Sequence, residues 1–97
     1  MVTQQRKNLT DSAVVLSERD NVATALVDLP AGAYLLDTGE NQTEIDVPED
    51  IGAGFKLALS DIGEGEPICK YGYVIGLATQ DIKKGHCVHV HNLISAV

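Results

Sequence analysis

The pentapeptide "DIGEG", Asp61–Gly65, decides how this sequence is read, because its form returns three more times along the chain. It returns as "DLPAG" at Asp28–Gly32, "DIGAG" at Asp50–Gly54 and "DIKKG" at Asp81–Gly85. Each unit runs Asp, an aliphatic residue, two variable positions, then Gly. An aspartate caps a turn by accepting hydrogen bonds from backbone N–H groups, and glycine supplies the positive-φ position that ends it. The aliphatic residue between them can point inward and anchor the turn to a core. The intervals between units are irregular, so this is not a solenoid repeat. The unit is a repeated way of turning a corner.

A short apolar run follows each corner: "AYLL", "FKLALS", "EPICKY" and "HCVHVHNL". Upstream, "AVVLS" and "NVATALVDL" read as strands on either side of the polar "SERD". A short helix over Asn21–Leu26, capped by Asp20, is the alternative for the second of them. "QTEIDV" alternates polar and apolar residues as a half-buried strand does, and the preceding "TGEN" reads as a turn. "YVIGLAT" reads as a strand bent or bulged at Gly76. Turn signals every ~8–12 residues with short strands between them predict an all-β, barrel-type domain built on Asp-x-x-x-Gly turns. Residues 1–11 read as a flexible polar lead, and 12–97 as the domain.

The 97 residues suffice for one compact unit with a small core and little room for a deep cleft. With no Trp and one Phe, that core must be built from Val, Ile, Leu and Ala. A net charge of −7 argues against a sequence-independent grip on nucleic acid and against adhesion to an anionic membrane. No apolar run approaches the ~20 residues of a membrane span. The opening "MVTQQRKNLTDS" lacks the apolar stretch of a signal peptide. Cys69 and Cys87 are unrelated in spacing and read as free thiols, so the cytoplasm is the expected compartment.

Two stretches could carry chemistry. "GHCVHVHNL", Gly85–Leu93, holds all three histidines of the chain and one of its two cysteines. As a strand it would place Cys87, His89 and His91 on one face, with Val88 and Val90 on the other. Alternate residues on a strand lie ~6.5–7 Å apart, a spacing from which two imidazoles can converge on one ion. A solvated face, or one covered by a partner, explains the same pattern. The second stretch is "KYGYVIG", Lys70–Gly76. There Lys70 could meet a substrate carboxylate or stand as a solvated strand-end cation, and the two glycines allow close backbone approach. "DTG" at Asp37–Gly39 reads as part of a hairpin turn, and Gly63-x-Gly65 lacks the helix that a phosphate loop requires.

The run from Phe55 to Leu93, "FKLALSDIGEGEPICKYGYVIGLATQDIKKGHCVHVHNL", together with "DNVATAL" at Asp20–Leu26, resembles one family. It is similar to the small N-terminal domain of the altronate and galactarate dehydratases, through the KYG triplet, the Ile75-Gly76 step and the closing V-H-V-H-N. That resemblance implies an SAF-like β-clip fold. It implies the small subunit of a sugar-acid dehydratase-type lyase, acting with a separate large catalytic subunit on a small carboxylate substrate and inactive alone. The alternatives are the small subunit of a sulfolactate sulfo-lyase-type enzyme and a non-catalytic SAF binding module. A homo-oligomer is compatible with each.

Carried over residue by residue, the resemblance makes His89 and His91 the catalytic candidates. The same two become weak metal ligands shared with the partner, in an enzyme whose divalent metal is expected to be iron. Lys70, Tyr71, Gly72 and Asn92 become the substrate-binding candidates. At three positions where the family's typical pattern has histidine, this chain has Ser17, Phe55 and Cys87.

Overall fold

The computed structural model describes residues 7–37 and 42–95, and among them there is no helix. The strands are β1 (Lys7–Asn8), β2 (Ala13–Val14), β3 (Val22–Ala25), β4 (Gly32–Asp37) and β5 (Gln42–Val47), followed by β6 (Lys56–Ala58), β7 (Pro67–Lys70), β8 (Tyr73–Ala78), β9 (Cys87–Val88) and β10 (Leu93–Ser95). They form three short sheets, ordered β1-β4-β5, β2-β3-β6-β9 and β10-β8-β7. Every pairing is antiparallel except that of β1 with β4.

The sheet β2-β3-β6-β9 is the middle layer, and side-chain alternation explains how it serves two cores. Ala23, Ala25 and Leu57 point to one side, where they pack with Tyr34, Leu36, Ile45 and Val47 of the β4–β5 hairpin. Val22, Ala58 and Val88 point to the other side, onto Ile68 and Ala78 of the β7–β8 hairpin. The expected reliance on small aliphatic residues holds: the largest fully buried side chains are Leu, Ile and Val.

The Asp-x-x-x-Gly corners work in two reciprocal pairs. Leu29 and Ile51 exchange backbone hydrogen bonds of 2.7 and 2.8 Å, and Ile62 and Ile82 do the same. Each of these four aliphatic residues is buried, the first pair in one core and the second in the other. The aspartates reach across each pair rather than capping their own turns. Asp28 accepts from Ala53 N–H and Asp50 from Ala31 N–H, each at 2.9 Å. Asp61 accepts from Lys84 N–H and Asp81 from Glu64 N–H, again at 2.9 Å.

One geometry repeated at four positions has a testable result. Removing the acceptor by Asp→Ala at Asp28, Asp50, Asp61 or Asp81 should cost about 1–2 kcal/mol each. The losses should be similar across the four, and the Asn substitution, which keeps an acceptor oxygen, should restore most of each. Urea midpoints of the eight variants check this, and a cost confined to one pair would contradict the equivalence.

Two sequence expectations change, and a third is not reached by the described residues. Asn21–Leu26 forms no helix; Val22–Ala25 is β3, held between β2 and β6. The β-branched Val22 and Thr24 favour that outcome. The polar lead expected over 1–11 enters the fold from Lys7 onward, where β1 pairs with β4 and Leu9 is fully buried. The turn expected at "TGEN", Thr38–Asn41, lies outside the described residues, although its flanks pair as a hairpin from Asp37↔Gln42.

Candidate functional site

β7 and β8 are joined by two residues, Tyr71 and Gly72, with φ values of 55° and 83°. Positive φ at both places matches a tight hairpin turn whose twist suits the flanking strands. Glycine takes this conformation freely, whereas a tyrosine held there is strained. The neighbouring chain supplies the restraint. Asp20 accepts from Gly72 N–H at 2.8 Å and, through its other oxygen, from Leu16 N–H at 3.3 Å. Asn21 accepts from Cys69 N–H at 2.8 Å and donates to the Pro67 carbonyl at 2.9 Å. Asp20-Asn21 is therefore the clamp that sets the Lys70-Tyr71-Gly72 turn, a role that sequence reading missed. Its signal was a polar pair directly ahead of an apolar strand.

Asn21→Ala removes two side-chain bonds from a half-buried position and should cost about 2 kcal/mol. The accompanying sign would be faster amide exchange at Cys69. Stability and exchange equal to those of the unsubstituted chain would remove the clamp.

Lys70 and Tyr71 lie together, with the Lys70 ammonium 4.8 Å from the centre of the Tyr71 ring. Lys56, on β6, was not foreseen as a site residue. Burial pushes its ammonium below the usual lysine range, the Lys70 charge pushes it the same way, and Cys87 partly offsets both. The hint in the sequence was one charge inside the apolar run "FKLALS".

The strand expected over Gly85–Leu93 is only Cys87–Val88. From His89 the chain turns, because Asn92 takes over the backbone groups that a strand would use. Asn92 Oδ1 accepts from His89 N–H and its Nδ2 donates to the Cys87 carbonyl, both at 2.9 Å. Asn92 N–H also donates to the His89 carbonyl at 3.0 Å. Cys87, His89 and His91 therefore do not share a strand face, and Val90 is 78 % exposed rather than turned to the core. Asn92 itself is 3 % exposed, so what it does within this chain is hold the turn.

His89 is half-buried with its ring edge-to-face on Phe55, centroids 4.4 Å apart, and its Nδ1 is buried without a hydrogen-bond partner. His91 and His86 are exposed. Burial raises the Cys87 thiol above its ordinary range, nearby Glu49 raises it further, and Lys56 partly opposes both. Both cysteines are free, as expected.

Of the positions that depart from the resembled pattern, Ser17 lies beside the hairpin turn: a methyl on Gly72 would meet its hydroxyl at 3.6 Å. Phe55 and Cys87 lie at the β6–β9 end, with His89. Among the described residues no three His, Cys, Asp or Glu side chains converge on a common point. Among the described residues the donor set does not fit a complete metal site. A groove of about 760 Å3 is lined by Val15, Leu16, Ser17, Asp20 and Leu59, among others, and neither Lys70 nor a histidine borders it.

Over residues 11–96 the sequence matches the family profile described as the altronate/galactarate dehydratase SAF domain. The chain belongs to that family. As an SAF domain it is similar to the altronate dehydratase of Bacillus subtilis (strain 168), 43 % identical over 81 residues, covering 84 % of this chain and 16 % of that protein. The altronate dehydratase of Escherichia coli (strain K12) is 45 % identical over 73 residues, covering 75 % of this chain and 14 % of that protein. The (2R)-sulfolactate sulfo-lyase subunit alpha of Chromohalobacter salexigens is 42 % identical over 50 residues, 52 % of this chain and 53 % of that one. The SAF domain thus spans a small part of the dehydratases and about half of the sulfo-lyase subunit. Its three short sheets and crossed corners are consistent with the expected β-clip architecture. No helix among the described residues is long and apolar enough to cross a membrane.

Proposed function

We propose that this SAF domain is the small subunit of a hydroxy-acid dehydratase-type lyase whose remaining chemistry lies on a separate large chain. The observation that carries the reading is the sulfo-lyase relative. It is named as a subunit, and the 50 matched residues make up 53 % of it. The altronate dehydratases, of which the match covers 16 % and 14 %, support a dehydratase-type reaction for the assembled enzyme.

Removal of water beside a carboxylate needs a base for the α-proton and an acid for the departing hydroxyl. In this reading Lys70 anchors the carboxylate from the hairpin turn, and Tyr71 flanks that anchor. Asp20 holds Gly72, and through it the turn, in place. His89 and His91 carry protons between substrate and solvent at the junction with the large chain. Asn92 fixes the turn that presents both imidazoles. The divalent ion that the resemblance implies, with iron as its expected identity, takes its ligands chiefly from the large chain, and the cytoplasm is the compartment we assign.

The test is co-expression with a candidate large chain encoded beside this one. The purified complex should dehydrate a hexonate or hexarate, and each chain alone should be inactive. Release of sulfite from sulfolactate instead would establish the sulfo-lyase reading. A complex inactive on all of these acids, or a large chain equally active alone, would leave a non-catalytic binding module.

A further inference from the structure

Two lysines repel one another in a chain with twice as many acidic as basic residues, 14 against 7. Lys56 is half-buried on β6, and Lys70 is half-buried at the end of β7. Thr24 sits directly opposite Lys56 across the β3–β6 ladder, so the two side chains share one face of the middle sheet. That face is the one on which Val22 and Ala58 enter the second core, so Thr24 and Lys56 extend it. On β7, Ile68 enters the same core, and alternation turns Lys70 to the same side.

The charge of Lys70 opposes that of Lys56. Lys70 lies over the Tyr71 ring. The Thr24 hydroxyl is buried and has no hydrogen-bond partner. Two ammonium groups that repel one another on the face that carries an unpaired hydroxyl are unfavourable for the free chain, and one bound anion would satisfy all three.

We propose that Thr24, Lys56 and Lys70 form a carboxylate-binding site at the rim of the second core. The inference rests on the reading of this chain as part of a hydroxy-acid lyase, and it gives the acid's carboxylate a place within the chain. A carboxylate there accepts from both ammonium groups through its oxygens and takes a third bond from the threonine O–H. The hydroxylated carbons of the acid are then left facing outward, toward whatever chain closes over the site.

The test uses the 97-residue chain and gluconate, a hydroxy acid with one carboxylate, followed by amide chemical shifts at constant ionic strength. The expected result is saturable shifts centred on Thr24, Lys56 and Lys70, absent with sorbitol, which has the hydroxyls without the carboxylate. Lys56→Met and Lys70→Met should each weaken binding about tenfold, with the melting temperature of Lys56→Met equal to or above that of the parent, since it removes a like-charge repulsion without the loss of the Tyr71 ring contact that Lys70→Met entails. Thr24→Val should weaken it less. Shifts that spread over Lys7, Lys83 and Lys84, or that sorbitol reproduces, would overturn the site. So would gluconate affinity unchanged in Lys56→Met. Lack of turnover with a large chain would overturn the lyase reading and leave the gluconate shifts in place. A Lys56→Met complex with unchanged KM would overturn the site and leave the lyase reading in place.

Discussion

Replacing Gly85 with alanine should cost about 3 kcal/mol or more and lower the melting temperature by roughly 12–25 °C. Two separate effects add. Gly85 has φ +90°, a conformation that costs an L-residue about 1–2 kcal/mol. An added Cβ would also collide with the Asp46 carbonyl on β5, and forcing atoms into a closed space typically costs about 1–3 kcal/mol. The surroundings are not free to retreat, because Gly85 N–H is bonded to the Ala58 carbonyl at 2.8 Å. Gly54 is the internal control. Its φ is +88°, yet a Cβ there would meet nothing within 4 Å. Gly54→Ala should therefore show the conformational cost alone. Equal melting temperatures for the two variants would mean that the approach of the last corner to β5 contributes nothing.

The second large effect concerns the imidazoles. In the complex with its large chain, His89→Gln or His91→Gln should lower turnover by about 10²–10⁴, the usual loss for a missing general acid or base. The fold should survive either change. Val88 anchors β9 in the second core, and the turn from His89 to Asn92 is held by the Asn92 amide rather than by imidazole nitrogens. His89→Gln also gives up the ring contact with Phe55, worth about 0.5–1.5 kcal/mol. It should therefore lower the melting temperature slightly, whereas the exposed His91 should leave it unchanged. A large loss in one variant alone would identify which imidazole handles the proton. Unchanged turnover in both would remove the shared-site reading and favour the binding module.

Corners were easier to read from the sequence than their partners. The Asp-aliphatic-x-x-Gly form shows a turn at each place because glycine supplies the positive-φ position locally, whatever the aspartate beside it bonds to. Which corner Asp28 would cap depends on Ala53 arriving from 25 residues away, and nothing local encodes that arrival. The same limit misled the reading of Gly85–Leu93. Alternation of Val and His suits a strand, but an asparagine side chain three residues beyond His89 competes for the same backbone groups, and at Asn92 it prevails. Lys70 stood out because its KYG triplet is distinctive. Lys56 did not, since its meaning depends on Thr24 and Lys70, which only the layered sheets bring near. The clamp formed by Asp20 and Asn21 was hidden for the same reason: its bonds run to Pro67, Cys69 and Gly72, far along the chain.

The middle sheet has a consequence for how the molecule comes apart. Consecutive residues of β3 and β6 serve opposite cores: Val22 and Ala58 one, Ala23 and Leu57 the other. Peeling away either outer layer would strip one side of strands whose other side is still packed, so neither half can melt while the other persists. Loss of structure is then all-or-none, and a fragment ending between the two pairs of corners has no stable state of its own. Because the pairings of β1 with β4, β3 with β6 and β6 with β9 join distant parts of the chain, that single transition should also be slow to reverse compared with a helical bundle of equal size.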